Sequence, residues 1–180
     1  GSAKVLFLCH PNNPLGCPLS QEDISALVEA VRGSNAVVVS DEAYFEFSSG
    51  TTFLSYLAEL PNLIVIRTLS KAFALSGARV GYAIAAPEIV KKLERLMLPW
   101  PVAHPSVAAA LALLARADKV KARRDVVIAT REQFIKQMRP FPVLLRIRPR
   151  QILCSFACPT PDAFVTCFSR PGSASRSASR

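Results

Sequence analysis

Residues able to hold a metal are few. The 180-residue chain has two histidines, His10 and His104, and its five cysteines are an odd number with no C-x-x-C pair among them. A structural zinc site or a fully paired disulfide framework is therefore not expected, and Cys9, Cys17, Cys154, Cys158 and Cys167 read as free thiols. No apolar run reaches the roughly 18 residues that a membrane span needs. No charged-then-apolar leader opens the sequence; Gly1-Ser2 reads as the remnant of a cleaved tag, and the cytoplasm is the expected compartment. Acidic residues are also short, with 13 Asp and Glu against 22 Lys and Arg, a net charge of +9. An excess of that size spread over the chain would point to nucleic acid. It is not spread: residues 1–115 carry 8 basic and 9 acidic residues, and residues 116–180 carry 14 and 4. Nucleic acid is accordingly not an expected partner of the first part of the chain.

What is present is a chain with 51% apolar and 19% charged residues, long enough for one domain, or most of one, around a sizeable core. Its first part alternates strand and helix signals in the α/β manner. "KVLFLC" reads as a strand buried on both faces and stops at the turn-rich "HPNNPLG". "LSQEDISALVEAVRG" predicts an amphipathic helix with Ser20 as N-cap, apolar Ile24, Leu27, Val28 and Val31 on one face, and Gly33 at its end. "NAVVVSDEAY", "NLIVIRTLSK" and "RVGYAIA" predict three more strands. A helix from Pro87 to about Met97 follows, then the proline-rich break "LPWPVAHPS" and a helical stretch from Val107 to about Lys136 whose interior charges predict a bend. There is no internal repeat.

Three of these strands run out into polar residues, and in open α/β sheets ligands bind at the carboxyl edge. That edge would collect Asn13 from the first strand, Asp41 and Tyr44 from the second, and Thr68, Ser70, Lys71 and Arg79 around the third. Taken singly each has a plain reading: a turn, a strand-end cap, a solvated lysine. Together, a carboxamide, a carboxylate, a phenol, an amine and a cluster of hydroxyls with an arginine suit an aromatic cation bearing a phenolic oxygen, an aldehyde and a phosphate. That ligand is pyridoxal 5'-phosphate. The lysine amine would condense with the aldehyde, the carboxylate would keep the ring nitrogen protonated, and the arginine fork would hold the phosphate. Asp41 leaves a buried strand, so its carboxylate could sit in a low-dielectric site only with a cationic partner or several donors.

The segments "PNNPLG", "SDEAY" and "TLSKAFALSGARVGY" resemble the three consecutive signatures of the class I and II aminotransferases of fold type I, which run roughly NPxNPTG, DEAY and SKxxxLxGxRxGY. "TLSKAFALSGARVGYAIA" followed by "LPWPVAHPSVAAALALL" is most similar to the histidinol-phosphate branch, and the resemblance covers about residues 3–138. It implies that Lys71 bonds the cofactor aldehyde and carries a proton between Cα and C4′, and that Asp41 pairs with the pyridinium nitrogen. Tyr44 and Asn13 would donate to the ring oxygen, and Ser70 and Arg79, with Thr68 beside them, would hold the phosphate. It also implies transamination between histidinol phosphate and 2-oxoglutarate in histidine biosynthesis, by a homodimer. Another pyridoxal-phosphate aminotransferase, a related decarboxylase, or an inactive fragment with a basic tail are the alternatives.

By the same resemblance, residues 3–100 are the C-terminal half of the large α/β/α cofactor domain with its mostly parallel sheet. Residues 101–139 are an interdomain helix and the start of a small C-terminal domain, and residues 140–180 an atypical tail, disordered or aberrant. Two positions depart from the pattern: Leu15 stands where threonine is usual and Ala74 where glycine is common. Cys9 and His10 read as packing or loop residues, and His104 as structural.

Overall fold

Four short runs rich in aliphatic and β-branched residues become strands, the residue types that fit a pleated, half-buried surface. In the computed structural model, which describes residues 4–138, these are β1 (Val5–Cys9), β2 (Val37–Asp41), β3 (Leu63–Thr68) and β4 (Gly81–Ala85). The expectations for Gly1-Ser2 and for residues 140–180 lie outside the described residues. The strands form one sheet in the order β1-β2-β3-β4; the first three are parallel and β4 runs antiparallel to β3. The connection from β1 to β2 crosses through helix α1 (Gln21–Val31), and that from β2 to β3 through two short 3-10 turns, Phe45–Phe47 and Phe53–Tyr56. The reversal at β4 is the feature that periodicity left undetermined. Gly81 lies opposite Thr68, and a Cβ there would meet the Arg67 carbonyl oxygen at 3.0 Å, so the close approach of β4 to β3 favours glycine.

Helix α1 begins where its sequence signal placed it. The Ser20 hydroxyl accepts from the Asp23 N–H at 3.0 Å while the Asp23 carboxylate accepts from the Ser20 N–H at 3.2 Å, a reciprocal capping box. Ser20→Ala is expected to cost about 1 kcal/mol, read as a lowered midpoint in urea unfolding. The apolar face of α1, Ile24 and Val28, packs on Val38, Leu63 and Val65, and Phe53 and Leu60 close the cluster. Each such side chain contributes about 1.5–3 kcal/mol on leaving water.

Side chains alternate across a strand, so this core takes every second residue. Val38 and Ser40 of β2 and Leu63, Val65 and Arg67 of β3 face α1; Val39 and Asp41, with Ile64, Ile66 and Thr68, face the other way. The double burial expected for β1 is not found. Leu6 and Leu8 line the core with Leu27 and Val28, but Phe7 is 74% exposed, because among the described residues no element covers it on the side away from α1.

Helix α2 (Pro87–Glu94) is shorter than expected: the N–H groups of Leu96 and Met97 bond three residues back, to Leu93 and Glu94, outside α geometry. The long helical stretch divides into α3 (His104–Leu114) and α4 (Ala117–Met138), with the break at residues 115–116 standing for the expected bend. Pro105 lies in the first turn of α3, where a missing N–H costs nothing. Val127 and Ile128 of α4 pack against Tyr44, Phe47 and Ala72, and Arg131 donates to the Phe47 carbonyl at 3.4 Å. Among the described residues no helix is long and apolar enough to cross a membrane.

Candidate active site

Parallel strands deliver their C-terminal loops to one edge, and here three do so side by side. Cys9 is paired with Asp41, and Asp41 with Ile66, so the loop holding Asn13, the Asp41–Tyr44 corner and the Thr68–Lys71 turn all leave the same end of the sheet. Because β4 is antiparallel, its beginning lies there too. The Leu69 N–H bonds the Val80 carbonyl at 3.0 Å, which sets Arg79 beside the Thr68–Ser70 turn. All seven sequence-predicted residues thus gather at one edge.

Lys71 approaches Tyr44 across two of these loops. The Lys71 Nζ stands 5.1 Å from the centroid of the Tyr44 ring, within cation–π reach, and that ring is itself buried against α4. Asp41 uses Oδ1 to accept from the Ala43 N–H at 3.0 Å, leaving Oδ2 for another donor. Asn13 is exposed; its N–H bonds the Cys9 Sγ at 3.3 Å. Burial raises the Cys9 thiol above its ordinary pKa, more than the Asn13 bond lowers it, so the sulfur serves there as a neutral anchor for the loop. Arg79 is held in the left-handed region at φ 55°, with Nη1 on the Ser76 carbonyl at 2.9 Å. A non-glycine residue in that region has a conformation held by its surroundings.

Two expectations change. Asp41 is exposed, because it lies on the face away from α1; Lys71, on the turn beyond β3, is exposed as well. Thr68 does not present a free hydroxyl: Oγ1 accepts from the Ser70 N–H at 3.1 Å and reaches the Val80 carbonyl at 3.4 Å. It shapes the turn that carries Ser70. Ala74, at the position where glycine is common in the resembled pattern, has φ 54°, which is the backbone reason for a glycine there.

Behind this edge lies a polar network whose members the sequence reading did not assign. Glu42 is 0% exposed and pairs with Arg67, Nη2 to Oε2 at 2.8 Å, while accepting from the Phe53 N–H at 2.8 Å and from Thr52 Oγ1. The signal was available: a carboxylate next to Asp41 on an alternating strand must point to the opposite, buried face, where it needs a cation. His10 is equally buried. Its Nδ1 accepts from the Leu19 N–H at 3.0 Å and its Nε2 donates to the Thr51 carbonyl at 2.7 Å, which agrees with the packing role expected for it.

Glu46 is the strained acid of the neighbourhood. Its Oε2 is buried without a partner, and burial pushes its carboxyl above the ordinary range, with its own backbone N–H and the Arg67 and Arg124 charges opposing. A raised carboxyl pKa means that the folded chain binds the proton more tightly than the unfolded chain, so this residue's contribution to stability is lost as pH rises through the folded value. Glu46→Gln is expected to be more stable than the parent near neutral pH. The gap should close below about pH 4, where the unfolded carboxyl is protonated too; urea midpoints across pH measure it.

The family model described as aminotransferase class I and II matches residues 1–174. This chain belongs to that family. It is 42% identical over 146 residues to histidinol-phosphate aminotransferase 2 of Mannheimia succiniciproducens, covering 80% of this chain and 41% of that protein. It is 44% identical over 129 residues to an aromatic amino acid aminotransferase of Rhodococcus erythropolis, covering 71% and 36%. Among solved structures, the histidinol-phosphate aminotransferase of Sinorhizobium meliloti in complex with pyridoxal-5'-phosphate superposes with a TM-score of 0.72 at 30% identity, over 83% of this chain and 40% of that one. The α/β fold with a mostly parallel sheet is therefore an aminotransferase fold. The chain spans about two fifths of the length of the curated relatives it matches.

Proposed function

We propose that this chain carries part of the cofactor site of a pyridoxal-phosphate-dependent aminotransferase, and that the whole enzyme exchanges an amino group between histidinol phosphate and 2-oxoglutarate. The carrying observation is the gathering of Lys71, held 5.1 Å from the Tyr44 ring, with the Asp41, Ser70 and Arg79 side chains at one sheet edge. The donor set fits the group. When bound, pyridoxal phosphate supplies an aldehyde that condenses with amines and a protonated ring that accepts the electron pair left as a Cα proton departs.

The residues divide that work by their chemistry. With Oδ1 held by the Ala43 N–H, the Asp41 Oδ2 would accept from the ring N–H and keep that proton in place. The Tyr44 hydroxyl and the Asn13 carboxamide would donate to the ring oxygen. Ser70 and the part of the Arg79 fork not bonded to Ser76 would hold the phosphate, and Thr68 would contribute by keeping the Ser70 turn closed. The Lys71 amine would anchor the cofactor and would be the base placed to take and return the proton at the substrate Cα.

Cofactor added to the 180-residue chain, followed by borohydride reduction and peptide mass mapping, is expected to leave a covalent label at Lys71. Absence of label, or label elsewhere, would refute the assembly of the site. The donor is read from the relatives at 42–44% identity that bear the histidinol-phosphate name. The Rhodococcus relative, at 44%, supports aromatic amino acids as a second reading. Rates with histidinol phosphate against phenylalanine and tyrosine in the whole enzyme separate the two. A homodimer, a small C-terminal domain beginning near residue 101 and a cytoplasmic setting belong to this proposal.

A further inference from the structure

Carboxylates beside a reactive edge are easily assigned to the ligand, yet Glu42 faces away from it. Asp41 pairs with Ile66 across β2 and β3, which puts Glu42 opposite Arg67, and the Glu42 N–H continues the ladder by donating to the Ile66 carbonyl at 2.9 Å. Alternation then sends Asp41 and Thr68 to one face and Glu42 and Arg67 to the other. The Glu42 carboxylate is completely occupied there. Oε1 accepts from the Phe53 N–H at 2.8 Å and Thr52 Oγ1 at 2.9 Å; Oε2 accepts from Arg67 Nη2 at 2.8 Å, Arg67 Nε at 3.2 Å and Thr52 Oγ1 at 2.7 Å. Arg67 also donates to Thr52 Oγ1 at 3.0 Å and lies 4.5 Å over the Phe45 ring, the residue after Tyr44.

Stability alone explains this pair poorly. Two charges taken out of water are often no better than an apolar pair of the same size, whereas a fixed, multiply bonded pair holds backbone geometry. We propose that Glu42 and Arg67 are positioning residues, locking the ends of β2 and β3 so that Asp41 and Tyr44 on one loop meet Lys71 on the other. The proposal rests on the reading of the cofactor site above. Each partner is close to what it positions: Glu42 adjoins Asp41 and is two residues from Tyr44, and Arg67 is four residues from Lys71.

The test titrates pyridoxal phosphate into the full chain and three variants, Glu42→Gln, Arg67→Gln and the two combined. It records the absorption bands of the bound cofactor, the borohydride-trapped label at Lys71 and the melting temperature. Loops that are no longer held in the binding geometry must be ordered when the cofactor binds, so each single variant is expected to bind cofactor at least about tenfold more weakly and to alter the ratio of the bands. The double variant, with no unpaired charge buried, is expected to recover the melting temperature of the parent but not its cofactor affinity or its spectrum. If affinity and spectrum return together with melting temperature, the pair is only structural and the positioning role is overturned. Parent-like affinity in all three variants overturns it equally. Should the single variants fail to fold, the double variant alone decides. No label at Lys71 in the parent overturns the site reading itself, and the positioning role with it, which keeps the two failures apart.

Discussion

Lys71→Ala is expected to abolish covalent capture of pyridoxal phosphate at this site while leaving the fold as it is. Six other lysines, Lys4, Lys91, Lys92, Lys119, Lys121 and Lys136, offer the same amine, so the expectation is one of selectivity. A solvated lysine has a pKa near 10.4 and is almost wholly protonated at neutral pH, which makes its condensation with an aldehyde slow. Lys71 has an advantage of place. It sits at the edge with Asp41, Arg79 and Ser70; in the proposed site these would hold the other ends of the cofactor, so the amine would meet the aldehyde at a high effective concentration. Its own side chain is exposed, and exposed substitutions usually change stability by no more than about 0.5 kcal/mol. Loss of the trapped label with an unchanged melting temperature is the expected pair of results, and Lys91→Ala should keep both. Undiminished label in Lys71→Ala would show that the chemistry lies elsewhere.

Phe53→Ala is expected to remove about 3–5 kcal/mol of stability, a large part of the roughly 5–15 kcal/mol that domains possess. Phe53 is 1% exposed, opens the second 3-10 turn, and packs among Ile24, Val28 and Leu60 with its ring edge-on to His10 at 5.7 Å. It is therefore the point where α1, the sheet and the loop carrying Thr52 meet, and truncation there leaves a cavity that three elements would have to move to fill. Phe53→Leu, which keeps most of the volume, should lose only about 1–2 kcal/mol. Urea midpoints at constant slope measure both. A loss in Phe53→Ala no greater than in Phe53→Leu would show that this contact is not central to the core.

How far the chain could be read in advance depended on the range of the signal. Ser20 and Asp23 lie three residues apart, and their capping box followed from local spacing alone. The runs VVVSD and LIVIRT became β2 and β3 because strand propensity and alternation act over a few residues. The gathering of the candidate residues was legible for a further reason: Asn13, Asp41, Tyr44, Thr68, Ser70 and Lys71 end or follow parallel strands, which brings them to one edge, whereas Arg79 arrives there through the antiparallel β4. Less legible were properties that depend on what covers what. Phe7 belongs to a run that reads as doubly buried, and only the placement of α1 decides that one face is covered. The commitment of the Thr68 hydroxyl to its own turn depends on β4 returning antiparallel, which no pattern inside "RVGYAIA" encodes.

Local chemistry by itself thus pointed to the kind of site proposed: a carboxylate, a phenol, an amine and a cluster of hydroxyls with an arginine, in the order of a known aminotransferase signature. Tertiary structure decided which of these groups stand free and which are tied. It turned Asp41 outward and Glu42 inward, although the two are neighbours in sequence, and joined Glu42 to Arg67 across 25 positions. The reason is geometric. A strand's alternation gives adjacent side chains opposite faces, but which face is core and which is site depends on the helix that packs against it and the strand that pairs beside it.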